Sequence, residues 1–191
     1  MTENGLDTSA TINQTGTHQT ASITQDGGGV GGVSTAQASA LVVQGGADHV
    51  ANVHQSHAHG AVTVNQGGAG HLADVFQSAG SGSDGTIAAV NQGGVSHEAS
   101  INQNANSHQP LFAWVMQSGT DQSASVTQRG AWNEAHVTQS GSLHNATIIQ
   151  TGVGGAGAAL NVATINQTGS GHVGSITQGG AGGNTATLTQ N

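Results

Sequence analysis

Apolar and polar positions alternate along the chain in short, near-identical runs. The pattern A-x-[I/V/L]-x-Q occurs fifteen times, ending at Gln14, Gln25, Gln44, Gln55, Gln66, Gln77, Gln92, Gln103, Gln117, Gln128, Gln139, Gln150, Gln167, Gln178 and Gln190. Only Val62 and Gly174 replace the leading Ala. A period of two marks a half-buried strand: Ala, the branched residue and Gln share the inner face, and the Ser, Thr, Asn or His between them share the outer one. So short a strand cannot bury a face alone. Repeats of this kind gain an interior only by stacking on one another, which is the logic of a solenoid.

The steps between successive Gln residues are 11, 19, 11, 11, 11, 15, 11, 14, 11, 11, 11, 17, 11 and 12. Every odd-to-even step is 11, and every longer step is even-to-odd. Insertions therefore collect on one edge, and the other edge carries a fixed turn. The unit is strand, tight turn, strand, about 22 residues long, and the fold class predicted is all-β: a parallel, amyloid-like β-solenoid of about 7.5 rungs. At ~4.8 Å per strand the stack is roughly 36 Å tall.

At the tight turn, Gly stands two residues after each odd Gln: Gly16, Gly46, Gly68, Gly94, Gly119, Gly141 and Gly169. Glycine supplies the positive φ that a strand-to-strand corner calls for. Five residues after the same Gln lies a polar column of Gln19, His49, His71, His97, Gln122, His144 and His172. Counted back from the next Gln, the column has inward parity. Stacking also places Gln over Gln, so inward amides can bond to one another up the stack as a ladder.

Composition narrows the function. With 32 Gly, two Phe, two Trp and no Tyr among 191 residues, the interior must be thin and made of Ala and Val. Arg129 is the one basic residue against nine acidic ones, a net charge of −8, which argues against a nucleic-acid partner. Cys is absent, removing disulfides and thiolate ligands, and no apolar run is long enough to span a membrane as a helix. Residues 1–9 have neither the charged nor the apolar region of a signal peptide; the expectation is a secreted protein whose export signal has been removed.

The unit Q-x-G-x-x-[N/H/Q]-x-A-x-[I/V]-x-Q, as in QTGTHQTASITQ (14–25), QGGVSHEASINQ (92–103) and QSGSLHNATIIQ (139–150), resembles the curlin repeat. That family forms the major and minor subunits of curli, the amyloid fibres of bacterial biofilms. The resemblance covers residues 8–191. Residues 1–7 read as the stub of a partial repeat, with Glu3 at a Gln position. The turn column departs from the family, which favours Asn where this chain has mainly His, and the family's Gly-rich export segment is missing. The resemblance implies a subunit of an extracellular fibre at the cell surface, self-assembled through open end strands, forming biofilm matrix and mediating adhesion. Its implied partners are further copies of itself, a nucleator subunit and secretion and chaperone machinery. Neither Ala10–Gln14 nor Ala186–Gln190 carries a charge or proline that would blunt an edge, and Pro110, the single proline, falls in a loop.

Rival readings are weaker. A monomeric solenoid binding module, of adhesin passenger or ice-binding type, needs capped ends or a flat Thr face, whereas the outward positions mix Ser, Thr, Asn, His, Ala, Trp and Phe. His54, His57 and His59 are the best metal candidates, but without Cys or matched carboxylates they read as surface histidines. The stretches GGGVGG (27–32) and GGAGG (179–183) read as loops, since neither carries the residues of a phosphate or calcium loop. Trp114 and Trp132 fall at outward or turn positions; a patch for lateral fibre contact or carbohydrate is the alternative to isolated exposed aromatics. No trio of residues is marked as a catalytic centre and no cofactor is implied, so an enzyme is not expected.

Overall fold

The computed structural model describes residues 2–4, 8–26, 37–56, 59–79, 85–105, 110–153 and 160–191. Sixteen strands follow one another: β1 (Thr2–Asn4), β2 (Ser9–Thr17), β3 (Thr20–Asp26), β4 (Ala38–Ala47), β5 (Val50–Ser56), β6 (Gly60–Ala69), β7 (Leu72–Ala79), β8 (Thr86–Val95), β9 (Glu98–Ala105), β10 (Leu111–Thr120), β11 (Ser123–Ala131), β12 (Asn133–Ser142), β13 (Asn145–Val153), β14 (Asn161–Ser170), β15 (Val173–Ala181) and β16 (Thr185–Gln190). The odd strands form one eight-stranded sheet in chain order and the even strands another. All pairs are parallel and in register with the repeat. Gln117, for example, lies between Gln92 and Gln139, and Gly119 between Gly94 and Gly141. The protein is thus the two-sided parallel β-solenoid that the spacing predicts.

The core is a single apolar layer between the sheets, built from Ala, Val and Ile such as Ala51, Val53, Ala99, Ile101, Val126 and Ile148, and no aromatic residue enters it. Small side chains suffice because each strand presents only two of them inward before the amide of Gln takes over. The end rungs are more open: Gln14 is exposed and Ile12, Ala186 and Leu188 are only partly buried.

The strands outrun their five-residue motif. β2, for instance, continues through Gly16 to Thr17, and the reversal falls at the next residue, His18. Each tight corner therefore uses two positive φ values. The first is the glycine predicted from sequence, at φ 97–129°; the second lies two residues on, at His18, Asp48, Gly70, Ser96, Asp121, Leu143 or Gly171, at φ 51–74°. Between rungs the corner backbones bond as the strands do, with Asp48 N–H donating to Thr17 O at 3.1 Å and Thr20 N–H to His49 O at 2.8 Å.

Between Gln128 and Gln139, where the insertion-bearing edge has no insertion, it forms the same corner: Gly130 (φ 102°) precedes Trp132 (φ 58°). The two edges differ in their tolerance of insertions, as the spacing predicts. One expectation is corrected: GGAGG is no free loop, since Gly179–Ala181 finishes β15 and the corner follows, with Gly180 at φ 104° and Gly182 at φ 78°. The stretch 27–32 lies outside the described residues. Ala10–Gln14 opens one sheet and β1 opens the other, where Glu3 stands at a Gln position as expected, in register with Gln25, so that this opening edge includes an acidic residue.

Candidate functional site

The repeat places one glutamine per strand at the inner margin of the apolar layer, and the amides bond along the stack in two ladders. In the even-strand sheet the ladder runs Gln14, Gln44, Gln66, Gln92, Gln117, Gln139, Gln167, Gln190, each Nε2 donating to the next Oε1 at 2.7–2.9 Å. In the other it runs Gln25, Gln55, Gln77, Gln103, Gln128, Gln150, Gln178 at 2.8–2.9 Å. Both ladders point the same way, from Nε2 toward the C-terminal rung. The second amide hydrogen crosses to a backbone carbonyl of the facing sheet, as from Gln103 to Ile87 O at 3.1 Å and from Gln117 to Glu98 O at 3.0 Å. Each glutamine after Gln14 thus ties its own sheet along the axis and the two sheets to each other. Gln25 Oε1, at the first rung of its ladder, is buried with no partner among the described residues.

Removing a mid-stack amide leaves two neighbours short of partners. Gln103→Ala takes the acceptor from Gln77 Nε2 and the donor from Gln128 Oε1. A loss of about 2 kcal/mol or more is expected in urea unfolding. Thr127→Ala, on the outer face of β11, should change stability by less than about 0.5 kcal/mol. Equal losses at the two sites would refute the ladder's role.

From His49 to His144 the corner column is buried, and it has its own bonding rule. In His49, His71, His97 and His144, Nε2 lies 3.0–3.1 Å from the carbonyl oxygen four residues earlier, that of Gly45, Gly67, Gly93 or Ser140. Nδ1 of the same rings accepts the backbone N–H of the next column residue, His71, His97, Gln122 or His172, at 3.2–3.4 Å. Nδ1 must therefore be bare and Nε2 must carry the proton, so the ring is the neutral Nε2–H tautomer. Successive rings stack, His49 on His71 and His71 on His97 at 4.9 Å. With both nitrogens engaged, these rings have no lone pair left to bridge a metal between rungs. Burial, together with the neighbouring His97 and His49, pushes His71 below its ordinary value against the opposing Gly67 hydrogen bond. Burial likewise lowers His97, against the opposing effects of the Gly93 carbonyl and the Asp121 carboxylate.

Glutamine fills the column less well. Gln19 and Gln122 reproduce the bond to the carbonyl four residues back, at 3.1 and 2.9 Å. Gln122 Oε1, however, is buried without a partner among the described residues. Gln122→His, which fits a ring between His97 and His144 and aims Nδ1 at the next rung, should raise stability by about 1 kcal/mol. A drop in the urea midpoint would refute this account of the column.

A second column went unread in the sequence. Six residues before each odd Gln stand Thr8, Ala38, Gly60, Thr86, Leu111, Asn133, Asn161 and Asn184, at the insertion-bearing edge. In its upper part Asn133 Nδ2 donates to Arg129 O, four residues back, at 3.0 Å; Asn161 Nδ2 donates to Asn133 Oδ1 at 3.0 Å; and Asn161 Oδ1 accepts Asn184 N–H at 3.1 Å. Asn133 and Asn161 make, one each, the two contacts that a single histidine makes at the tight edge. Applying the six-residue offset to every Gln, not only the even ones, would have found it.

The remaining candidates disperse. His54 is on the outer face of β5, stacked on Phe76 at 5.1 Å with Nε2 3.6 Å from Asp26 Oδ2. His59 precedes β6 and lines a groove with Thr8, Gln37 and Thr86. His57 lies outside the described residues, among which no three His, Asp or Glu side chains gather as a metal site. Trp132 sits at its corner, whereas Trp114 faces outward and stacks on Phe112 at 5.7 Å and on His136 at 4.5 Å.

Residues 115–152, from the end of β10 to β13, match the family model of the curlin associated repeat. Over those residues the chain is similar to the curlin associated repeat. The matched stretch holds Gln117, Gly119, Gln122, Gln128, Gln139, Gly141, His144 and Gln150, members of the ladders, the corner glycines and the corner column. Strand register sets the other rungs' equivalents directly above and below the matched stretch. No curated protein matches the chain.

Proposed function

We propose that this protein is the structural subunit of an extracellular curli-like amyloid fibre, secreted and then polymerised end to end, with biofilm matrix and adhesion as its roles and no enzymatic one. The observation that carries the reading is the state of the end strands. β2 and β16 close one sheet and β1 and β15 the other, and among the described residues nothing pairs with their outer edges. β2, β15 and β16 contain no charged residue and no proline. Such edges are templates for a further strand. The even-sheet ladder adds direction, because Gln14 at one end offers an Oε1 acceptor and Gln190 at the other an Nε2 donor, so a copy arriving head to tail extends it. A head-to-tail contact that does not close generates a filament.

Purified protein at neutral pH should form unbranched filaments by negative-stain microscopy, with a fibre reflection near ~4.8 Å along the filament axis. A monodisperse monomer that persists under those conditions would overturn the reading in favour of a monomeric solenoid module.

A further inference from the structure

Outward side chains also stack rung on rung, and one such column has a gap. Trp114 is paired by register with His136 on one side and with Ala89 on the other, and Ala89 in turn with Thr63. Where two rings meet on neighbouring rungs they lie nearly parallel at the strand spacing: Trp114 on His136 at 4.5 Å and 10°, and His54 on Phe76 at 5.1 Å and 17°. The rings therefore lie across the stack axis, and one rung is one ring thick. His136 covers one face of the Trp114 indole. On the other face the column offers only the Ala89 methyl, and the next side chain, Thr63, is two rungs away, about 9.6 Å. A hollow of about 190 Å³ occupies the interval, lined by Ala89, Asn91, Trp114, Val115 and Met116. An apolar cavity of ~150 Å³ already holds a benzene ring.

We propose that this slot binds a flat, uncharged aromatic small molecule, one ring lying under the Trp114 indole in the place of the missing column member. The walls define the ligand. Trp114 supplies a ring face for offset stacking. Asn91 supplies an amide beside the slot for one polar substituent such as a hydroxyl. Met116, 54% exposed, is an adaptable thioether between this hollow and a neighbouring one of about 180 Å³, so a second fused ring is accommodated as it swings. With a net charge of −8 and Arg129 in the other sheet, an aromatic carboxylate is disfavoured against a neutral phenol. The inference concerns the folded single chain and does not depend on fibre formation.

The test is a titration of 2-naphthol into the full-length protein, followed by the indole Nε1–H resonance of Trp114, with that of Trp132 as internal reference. A saturable shift confined to Trp114 is expected, at least tenfold weaker for 1-adamantanol, which is comparably apolar but not flat. Ala89→Phe fills the slot with the chain's own ring and should weaken naphthol binding at least tenfold; Ala89→Leu, blocking it without a ring, guards against a folding defect in the first variant. Equal responses to the two alcohols, shifts of both indoles together, absence of saturation, or wild-type affinity in both Ala89 variants would overturn the proposal.

Discussion

Gly94→Ala is expected to unfold the middle of the stack, while the same substitution one residue earlier, Gly93→Ala, passes nearly unnoticed. Gly94 has φ +124°, and a Cβ there would overlap the carbonyl oxygen of Gly119 in the next rung. That oxygen is backbone, fixed in register by strand pairing, so it cannot move aside as a side-chain end would. Backbone strain and steric overlap together place the loss at about 4 kcal/mol or more, against a typical domain stability of about 5–15 kcal/mol. Gly93 has no positive φ and nothing within 4 Å of an added methyl, so Ala there should fall within about 0.5 kcal/mol of wild type. Gly169 separates the two causes. It keeps φ +97°, but the nearest atom to an added Cβ is His172 Nε2 at 3.4 Å, and Gly169→Ala should be intermediate. Urea unfolding followed by circular dichroism reads all three, and a Gly93 variant as unstable as the Gly94 variant would show that the corner, not the overlap, had been misassigned.

What was legible in the sequence is what repeats with a constant residue type. Gln at every strand end, Gly two residues later and the inward Ala and Val recur often enough that strand, face and corner follow from counting. Features held by changing residues were hidden. The second positive φ of the corner is carried by His18, Asp48, Ser96, Asp121, Leu143 and two glycines, and no single residue type marks it. The Asn133–Asn161–Asn184 column was obscured by insertions of unequal length before it and by its smaller residues in the lower rungs, Ala38 and Gly60 among them. The cross-sheet bonds from each glutamine to a facing carbonyl depend on the distance between sheets, which follows from the size of Ala and Val in the single core layer. Spacing along the chain carries no measure of that distance. The slot under Trp114 was equally invisible, because it consists of a side chain that Ala89 does not have.

Lowering pH from about 7.5 to about 5 should destabilise the protein and slow seeded growth of any fibre it forms, and the corner histidines should be the cause. The chemical reason is the bonding of the rings. Nδ1 of His71 and of His97 accepts a backbone N–H from the next rung, and protonation would set an N–H against that N–H and break the bond. Burial adds to this at His71 and His97, both held below the ordinary histidine value of 6.5. A group whose folded value is lowered is protonated first in the unfolded chain. The unfolded state therefore binds more protons as pH falls below about 6.5, and stability is lost from there down to the lowered folded value, with no dependence above the window. Other titrating groups lie near the column: Asp121 beside His97, which opposes its shift in part, and the exposed His18–Asp48 pair at 3.5 Å. The control is to replace His49, His71, His97, His144 and His172 together by Asn. Asparagine already serves a corner in this molecule: Asn133 reaches the carbonyl four residues back and Asn161 accepts the next rung's N–H, the two contacts made by histidine. The five-Asn variant should therefore fold at pH 7.5 and lose most of the difference between pH 7.5 and pH 5 in its urea midpoint. If that difference persists undiminished, the column is not the titrating element, and Asp121, Asp48 and the outer-face pair of Glu134 and His136, 2.6 Å apart, become the groups to replace next.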